Sequence, residues 1–321
     1  MKILVTGGAG FIGSNFIRYI LKKYPNYKIV NLDKLTYAGN LDNLRDIEKD
    51  KRYKFIKGDI ANEKLVEKVL KQGKFDAVIN YAAETHVDRS IENPKEFIVT
   101  DILGTYTLLE GVRKHGIKRY IQISTDEVFG SIPDGYFSEK TPFMPNSPYS
   151  ASKAGADHLC RSYFVTYGTP VIVTHSCNVY GPYQYPEKII PLFVTNLLCG
   201  KKVPLYGDGQ NVREWLYTED HCYAIDLILH GGKSGEVYNI GSGHGVKNID
   251  LTHEILRYLG KSEKMIKCVK DRLGHDFRYA INATKIKQEL GFFPKYQFEE
   301  ALKETINWYK NNKWWWKKLV K

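Results

Sequence analysis

The sequence of 321 residues has little cysteine and no long apolar run. Its five cysteines are odd in number and widely spaced, without a C-x-x-C pair, which argues against a disulfide framework or a zinc site. The nine histidines also lack the spacing of metal ligands. No apolar stretch approaches the roughly 20 residues of a membrane span, and the start resembles no signal peptide. We therefore expect free thiols, no bound metal, no membrane insertion and a cytoplasmic protein.

The formal net charge of +11 permits either a nucleic-acid surface or a cationic site for a phosphorylated substrate. The lysines are spread along the chain without a basic stripe, so a solvated surface is the simpler explanation and no nucleic-acid partner is expected. The tryptophans at 314–316 are unusual. They could touch a membrane surface, but we expect a terminal helix that packs its rings onto the body.

Short apolar, β-branched runs alternate with helical patterns through the first half of the chain. This alternation predicts an α/β fold of the Rossmann type, a doubly wound parallel sheet with ligands at the carboxyl ends of its strands. We expect an NAD-binding Rossmann domain over residues 1–176 and a smaller α+β substrate domain over 177–321, with some segments free to return to the first. The predicted strands are residues 3–5, 29–32, 53–56, 77–80, 120–123 and 171–174, and the predicted helices are 12–22, 63–71, 94–115 and 149–167.

Gly7, Gly10 and Gly13 follow the first strand and open a helix. Glycines allow a tight turn and close approach of a pyrophosphate, which the helix amino terminus attracts. An ordinary glycine turn is the alternative, but an acid ends the next strand, as this motif requires. That acid, Asp33, favours NAD over NADP because it would repel a 2′-phosphate. Four residues end the third and fourth strands and are expected to line the cofactor: Asp59, Ile60, Ala82 and Ala83.

Tyr149 and Lys153 lie one helical turn apart. A tyrosine has a pKa near 10. To act as a base near neutral pH, Tyr149 needs this pKa lowered by roughly three units, which corresponds to about 4 kcal/mol of stabilisation of the phenolate. A nearby ammonium and the nicotinamide charge act in that direction. A Tyr and a Lys at this spacing are usually only neighbours on the surface of a helix. Here, however, the two residues follow a strand that ends in Ser124 and Thr125. We predict a base that oxidises an alcohol.

Asp126 and Glu127 come directly after that strand. One interpretation is a helix or turn cap. The other is chemical, because alcohol oxidation does not need two further carboxylates. A base that removes a carbon-bound proton and an acid that protonates a departing hydroxyl together suit the loss of water beside a carbonyl. The acid must have a raised pKa to stay neutral.

These motifs resemble those of the extended short-chain dehydrogenase/reductases, and among them the nucleotide-sugar 4,6-dehydratases. The resemblance runs over nearly the whole chain. Leu273 stands where the family usually has proline, which leaves the proposed chemistry untouched. The segments that carry the resemblance are residues 6–14, 33–40, 82–90, 124–130, 149–153, 178–184, 206–209, 213–217, 271–276 and 278–279.

The resemblance implies NAD-dependent oxidation of dTDP-glucose at C4, loss of water across C5–C6 and return of hydride to C6. Tyr149 would take the C4 hydroxyl proton, and Thr125 would bond to the C4 oxygen. Glu127 would remove the C5 proton, while Asp126 would protonate the leaving C6 hydroxyl. The product would be a 4-keto-6-deoxy sugar for deoxysugar biosynthesis.

The resemblance also implies further contacts and a homodimer formed through the long helices 94–115 and 149–167. Arginines suit phosphate oxygens because of their planar fork. The further cofactor contacts are Phe11, Ile12, Lys34, Thr36 and Thr100. The expected substrate contacts are Thr85, Thr125, Asn178, Lys188, Ile189, Pro204, Leu205, Tyr206, Arg213, Asn248, Asp271, His275 and Arg278.

Other activities stay open on this fold. A nucleotide-sugar 4-epimerase or a glucuronate decarboxylase keeps the glycine turn and the Tyr/Lys pair, but such enzymes lack the acid at Asp126. A dehydratase acting on UDP-glucose is harder to exclude, because such enzymes resemble this chain in the same Thr125-Asp126-Glu127 motif. A non-catalytic NAD-sensing or nucleic-acid-binding protein is the alternative from another class; such proteins commonly lose Tyr149 or Lys153, which this chain retains.

Overall fold

A parallel sheet forms the centre of the protein in the computed structural model, which describes residues 1–320. Its strands come mainly from the first half of the chain, and two smaller sheets come from the second half. The strands are β1 (Lys2–Thr6), β2 (Lys28–Asp33), β3 (Tyr53–Lys57), β4 (Ala77–Asn80), β5 (Tyr120–Thr125), β6 (Val171–Ser176), β7 (Asn178–Tyr180), β8 (Val203–Tyr206), β9 (Val212–Tyr217), β10 (Val237–Ile240), β11 (Gly245–Lys247) and β12 (Ile266–Val269).

Helices cover both faces of the central sheet. The helices are α1 (Phe11–Lys23), α2 (Glu63–Gly73), α3 (Val87–Glu92), α4 (Pro94–Phe97), α5 (Gly104–Lys114), α6 (Pro148–Tyr167), α7 (Ile189–Leu198), α8 (Thr218–Gly231), α9 (Asn248–Leu259), α10 (Thr284–Leu290), α11 (Phe298–Asn311) and α12 (Lys313–Trp316). A π-helical segment, Ile98–Leu103, joins α4 to α5, and 3₁₀ turns span Leu41–Leu44, Asp126–Phe129 and Glu263–Met265.

The order of strands in the central sheet is β10-β6-β5-β4-β1-β2-β3. The chain runs outward from β1 to β3 in one direction and from β4 to β6 in the other, so the direction of winding reverses between β1 and β4. In the parallel register Ile3 pairs with Ile29 on one side and with Ala77 on the other. A cleft forms outside the carboxyl ends of the strands at such a reversal, and ligands bind there.

Apolar residues pack on both faces of this sheet. Ile3 and Val5 of β1 belong to the core under α1 with Phe16, whereas Leu4 belongs to the opposite core with Leu108. Successive strand residues point to opposite faces, and both faces are covered, so each apolar residue of β1 is buried. The carboxyl ends of the strands are therefore held on a rigid base.

A third core lies in the second half of the chain and includes the carboxyl-terminal aromatic residues. Trp315 and Trp316 are buried, and the indole nitrogen of Trp315 donates to Asn43 Oδ1 at 2.8 Å. Trp314 alone is 47% exposed. The terminal helix thus packs onto the body, as its sequence suggests. No helix within residues 1–320 is long and apolar enough to span a membrane.

The six predicted strands are confirmed as β1 to β6, most of them longer by one or two residues. The predicted helix over 94–115 is interrupted by the π-helical segment, and a seventh strand, β10, joins the central sheet from the second half. That strand is only four residues long and lies in an irregular stretch, so no local pattern revealed it. The division near residue 176 stays a prediction.

Candidate active site

One cavity of about 690 Å³ opens at the carboxyl edge of the central sheet and continues into the second half of the chain. It brings together residues from β2, β5, β6 and the segments that follow β1 and β4 with residues from α6, β8, β9 and α9. Every residue predicted to bind the cofactor or to take part in catalysis lines it. Of the predicted substrate contacts, those that line it are Thr85, Thr125, Asn178, Lys188, Ile189, Pro204, Leu205, Tyr206, Arg213, Asn248 and His275.

The glycine turn presents bare backbone to this cavity. Gly7 has φ +66°, and a Cβ there would lie 2.5 Å from the Ala82 nitrogen. A Cβ on Gly13 would lie 2.5 Å from the Gly7 carbonyl oxygen. Gly10 precedes α1 without a capping side chain, and the first turn of α1 has no acidic residue. The amino-terminal N–H groups of α1 therefore form a site for an anion such as a pyrophosphate.

Asp33 lies at the end of β2 and is buried beside the glycine turn. Its carboxylate accepts hydrogen bonds from the amides of Ala9 and Leu35, each at 2.8 Å. Burial raises the pKa of Asp33, while these two hydrogen bonds lower it. A carboxylate accepts about four hydrogen bonds, so acceptor capacity remains for ribose hydroxyls. The hydroxyl of Thr100, also on the cavity wall, is buried and has no partner among the described residues.

The first turn of α6 holds Tyr149. Ser147 and Ser150 form a reciprocal capping box around Pro148, which fixes the entry of the helix. The Lys153 ammonium is buried and donates to the Ile123 carbonyl at 2.7 Å. Residues four apart on a helix share a face, so Tyr149 and Lys153 both line the cavity.

The pKa of Tyr149 is raised in the protein alone, which is opposite to the direction expected from the sequence. Burial is the main cause, and the negative charges of Glu127 and Asp101 add to it, whereas a hydrogen bond with Thr125 lowers the pKa. The Lys153 hydrogen bond goes to a carbonyl of β5 and not to the phenol. Positive charge from a bound nicotinamide would act in the direction that the base requires.

Asp126 and Glu127 begin the 3₁₀ turn after β5. The cap of this turn is Thr125, whose Oγ1 accepts from the Glu127 amide at 3.2 Å and lies 3.3 Å from Asp126 Oδ1. The two carboxylates are thus not the cap. Asp126 is 1% exposed, and its Oδ2 has no hydrogen-bond partner in residues 1–320.

The pKa of Asp126 is raised well above its usual range. Burial is the largest cause, followed by the negative charges of Glu127 and Glu214. Such surroundings favour the neutral form of a carboxyl group, which can donate a proton. Its neighbour Glu127 is a candidate base within the same cavity.

Cationic side chains gather at the far end of the cavity. The Arg213 guanidinium donates to the carbonyls of Val212 and Asp276, each at 2.8 Å, and these bonds fix its direction. Lys188 donates to the Thr85 carbonyl at 2.6 Å, and burial lowers its pKa. This end suits a diphosphate.

The structure does not bring two predicted substrate contacts to the cavity. Arg278 donates to the carbonyls of Ile132 and Gly135 at 3.4 and 3.0 Å, so its guanidinium secures a neighbouring loop. Asp271 accepts from His275 Nδ1 at 2.6 Å and orients that ring instead of lining the cavity wall.

Arg272 lines the cavity and was not predicted from the sequence. Its Nε is buried without a hydrogen-bond partner in the described chain. The pKa of His275 is lowered mainly by burial, and the positive charge of Arg272 is the next largest cause. Arg272 stands in the same 271–276 segment that the sequence singled out, so the motif carried the signal, but not which arginine faces the site. Tyr185 and Glu187 are further lining residues of the strand-to-helix loop that the sequence did not mark.

Comparison with known proteins gives consistent similarities. Residues 4–305 match the sequence profile of the family described as GDP-mannose 4,6 dehydratase. A dTDP-glucose 4,6-dehydratase of Streptomyces niveus is 49% identical over 323 residues, covering 99% of this chain and 96% of that protein. Among solved structures, a dTDP-glucose 4,6-dehydratase of Bacillus anthracis in complex with NAD is 53% identical, with a TM-score of 0.94 and complete coverage of both chains. The dTDP-glucose 4,6-dehydratase DesIV of Streptomyces venezuelae, also solved with NAD, is 49% identical with a TM-score of 0.97 and the same coverage.

Proposed function

The chain belongs to the GDP-mannose 4,6-dehydratase family, and from this premise we propose that it is an NAD-dependent enzyme that converts dTDP-glucose to dTDP-4-keto-6-deoxy-glucose. The observation that carries the proposal is the pair Asp126 and Glu127 in the same cavity as Tyr149 and Lys153. An alcohol-oxidising site with an additional neutral acid and a candidate base can continue from the ketone to loss of water.

NAD fits the first part of the cavity. The uncapped amino terminus of α1 and the glycines without room for a Cβ receive its pyrophosphate, and Asp33 receives the adenosine ribose. Asp59, Ile60, Ala82, Ala83 and Thr100 complete the proposed wall. When bound, NAD⁺ accepts a hydride from the sugar and NADH later returns it. Because the cofactor is regenerated within one turnover, tight retention is favourable.

Tyr149 acts in the first step. Its phenolic oxygen takes the proton of the C4 hydroxyl, and Thr125 holds the C4 oxygen through its own hydroxyl. The Lys153 ammonium contributes positive charge near the phenol and is available to the nicotinamide ribose. Its attachment to Ile123 keeps it at the carboxyl end of β5 while this happens.

Asp126 and Glu127 act in the second step. The C4 ketone acidifies the proton on C5, which Glu127 removes. Asp126, held neutral by burial and by the neighbouring carboxylates, protonates the C6 hydroxyl as it leaves as water.

The cationic end of the cavity binds the nucleotide diphosphate. Arg213 and Arg272 are assigned to phosphate oxygens, with Lys188 and Asn248 beside them. Pro204, Leu205 and Tyr206 of β8 are assigned to the base. UDP-glucose fits the same charge pattern, so the base pocket decides between the two nucleotides.

We assign the protein to the cytoplasm as a homodimer. Exposed apolar side chains lie on the two long helical segments, including Ile98, Tyr106, Val165 and Tyr167. A self-complementary surface formed from two helices of each copy would cover them. The cysteines within residues 1–320 are all unpaired, in keeping with a reducing compartment.

To test this proposal, purified protein carrying NAD is mixed with dTDP-glucose and, in a separate reaction, with UDP-glucose, without added reductant. We expect conversion of dTDP-glucose to a product with the alkaline ultraviolet absorbance of a 4-keto-6-deoxy sugar. Tyr149→Phe, which keeps the ring and removes the hydroxyl, should abolish it. No turnover of either sugar nucleotide by the NAD-loaded protein would overturn the proposal.

A further inference from the structure

Asp101 is a buried carboxyl group that the proposed steps do not use. It lies in the π-helical segment Ile98–Leu103, and its side chain is 1% exposed. A π-turn inserts one residue into a helix and changes the direction of the side chains around it, and such turns are frequent at functional sites. A buried carboxyl group is costly unless hydrogen bonds or an opposite charge stabilise it.

Two hydrogen bonds connect Asp101 to the walls of the active-site cavity. Ser152 donates to Asp101 Oδ2 at 2.6 Å, and the Glu84 amide donates to Oδ1 at 3.0 Å. Ser152 immediately precedes Lys153, and its hydroxyl also lies 2.8 Å from the Tyr149 carbonyl. Asp101 therefore connects the catalytic turn of α6 to the segment that follows β4.

The charge of Asp101 acts on both members of the Tyr/Lys pair. Burial raises the pKa of Asp101 to about 6. The positive charge of Lys153 is the largest influence that lowers this pKa, and the negative charge of Glu84 raises it. Lys153 is itself buried, with a carbonyl as its hydrogen-bond partner, so a nearby carboxylate offsets the cost of burying its ammonium. The same carboxylate raises the pKa of Tyr149.

We propose that Asp101 is a positioning residue for the oxidation step, a carboxylate that balances the Lys153 ammonium and holds the turn of α6 that carries Tyr149. The inference rests on the proposed function. The carboxylate supplies a counter-charge for the buried Lys153 ammonium, and its hydrogen bond with Ser152 secures the helical turn between Tyr149 and Lys153. Removing its charge would lower the pKa of Tyr149 and would leave the buried Lys153 ammonium without that counter-charge.

Asp101→Asn tests this proposal because the amide keeps the shape and the acceptor for Glu84 while it removes the charge. The rate of NAD reduction on mixing with dTDP-glucose is measured from pH 5 to pH 9 in both proteins. In the plot of rate against pH, we expect the midpoint of the rise on the acid side (the acid limb) to lie about one pH unit lower in Asp101→Asn than in the parent protein. The maximal rate should fall about three- to tenfold. Above about pH 6, where Asp101 is ionised, the two proteins should differ, and below it their rates should converge.

A second readout does not depend on turnover. Tyrosine labelled with ¹³C at Cζ gives one resonance that is absent from Tyr149→Phe. In the parent protein this resonance should shift as Asp101 titrates near pH 6, and in Asp101→Asn that step should vanish. This measurement stands even where the variant folds poorly, since the parent protein alone must show the step.

Glu96→Gln is the matched control, an exposed carboxylate on the adjoining helix α4, and its acid limb should coincide with that of the parent protein. An unmoved midpoint in Asp101→Asn, or a Tyr149 resonance without the step near pH 6, would overturn the proposal. Failure of the parent protein to convert either sugar nucleotide would instead count against the proposed function, so the two outcomes are distinct.

Discussion

The Lys153 ammonium donates a hydrogen bond to the carbonyl of Ile123 at 2.7 Å, which connects α6 to the strand that ends in Thr125. This contact places the cation on the wall of the cavity without bonding it to the phenol that it is meant to assist. Its influence on Tyr149 is therefore exerted through charge, across the space where the nicotinamide ribose is expected.

Replacing that cation with an apolar side chain of similar length should slow oxidation. We expect Lys153→Met to reduce the rate of NAD reduction at neutral pH by about 10² to 10⁴-fold, because the phenol of Tyr149 loses the positive charge that favours its ionised form. Stopped-flow absorbance of the reduced nicotinamide measures this rate. Lys22→Met, at an exposed position near the end of α1, is the control, and an equal loss in both variants would contradict the role of Lys153.

Removing the acid should separate the two chemical steps. In Asp126→Asn we expect C4 oxidation to survive and water loss to slow by about 10² to 10⁴-fold, because an amide cannot protonate the leaving hydroxyl. Reduced nicotinamide should then accumulate after mixing with dTDP-glucose. Asp134→Asn, in an exposed loop, should show no accumulation. Equal slowing of both steps would count against separate roles for Asp126 and Tyr149.

The two arginines of the 271–278 region should respond differently to the same change. Arg272 faces the cavity, so Arg272→Gln should raise the KM for dTDP-glucose about 10 to 100-fold, through loss of a charge-assisted hydrogen bond to phosphate. Arg278 bonds to loop carbonyls, so Arg278→Gln should leave KM near that of the parent and lower the free energy of unfolding by about 1–3 kcal/mol. Steady-state kinetics and urea unfolding measure the two effects, and a reversed pattern would return Arg278 to the substrate site.

Acid should destabilise the fold through His221. Burial lowers the pKa of this ring to about 3 from an unfolded value of 6.5, so the folded protein holds it neutral. Its contribution to stability is complete above about pH 6.5 and is lost as the pH falls towards 3, because the unfolded chain binds the proton first. At about pH 4.5 the loss amounts to about 3 kcal/mol.

Urea unfolding at pH 7 and at pH 4.5 measures that loss. His221→Gln should reduce the difference in the free energy of unfolding between the two pH values by about 3 kcal/mol. His253→Gln, with an exposed ring, should leave the difference unchanged. An unchanged difference in His221→Gln would show that the ring is protonated without cost in the folded protein.

Local patterns account for what the sequence predicts correctly. Each of the strands β1 to β6 carries a short cluster of apolar, mostly β-branched or aromatic residues. The glycine turn with Asp33 needs only its neighbours in sequence, so both features are visible without the fold. The direction of the Arg278 side chain depends on a loop more than a hundred residues away, which supplies the carbonyls of Ile132 and Gly135. No local pattern contains that information.

The electrostatic part of the site was also hidden from the sequence. The π-turn that buries Asp101 lies in a stretch that has an ordinary helical pattern. The raised pKa of Tyr149 results from burial and from charges on the 3₁₀ turn after β5 and on the π-turn, which meet only in the folded chain. A Tyr/Lys pair in a sequence therefore identifies the base but not the balance of charges around it.

The fate of the C4 hydrogen of the sugar distinguishes dehydration from epimerisation. dTDP-glucose labelled with deuterium at C4 is converted by the NAD-loaded protein, and the product is examined by NMR. We expect the deuterium to appear in the C6 methyl group of a 4-keto-6-deoxy sugar. Deuterium retained at C4 of a sugar that keeps its C6 hydroxyl would mean epimerisation without dehydration, and would contradict the roles of Asp126 and Glu127.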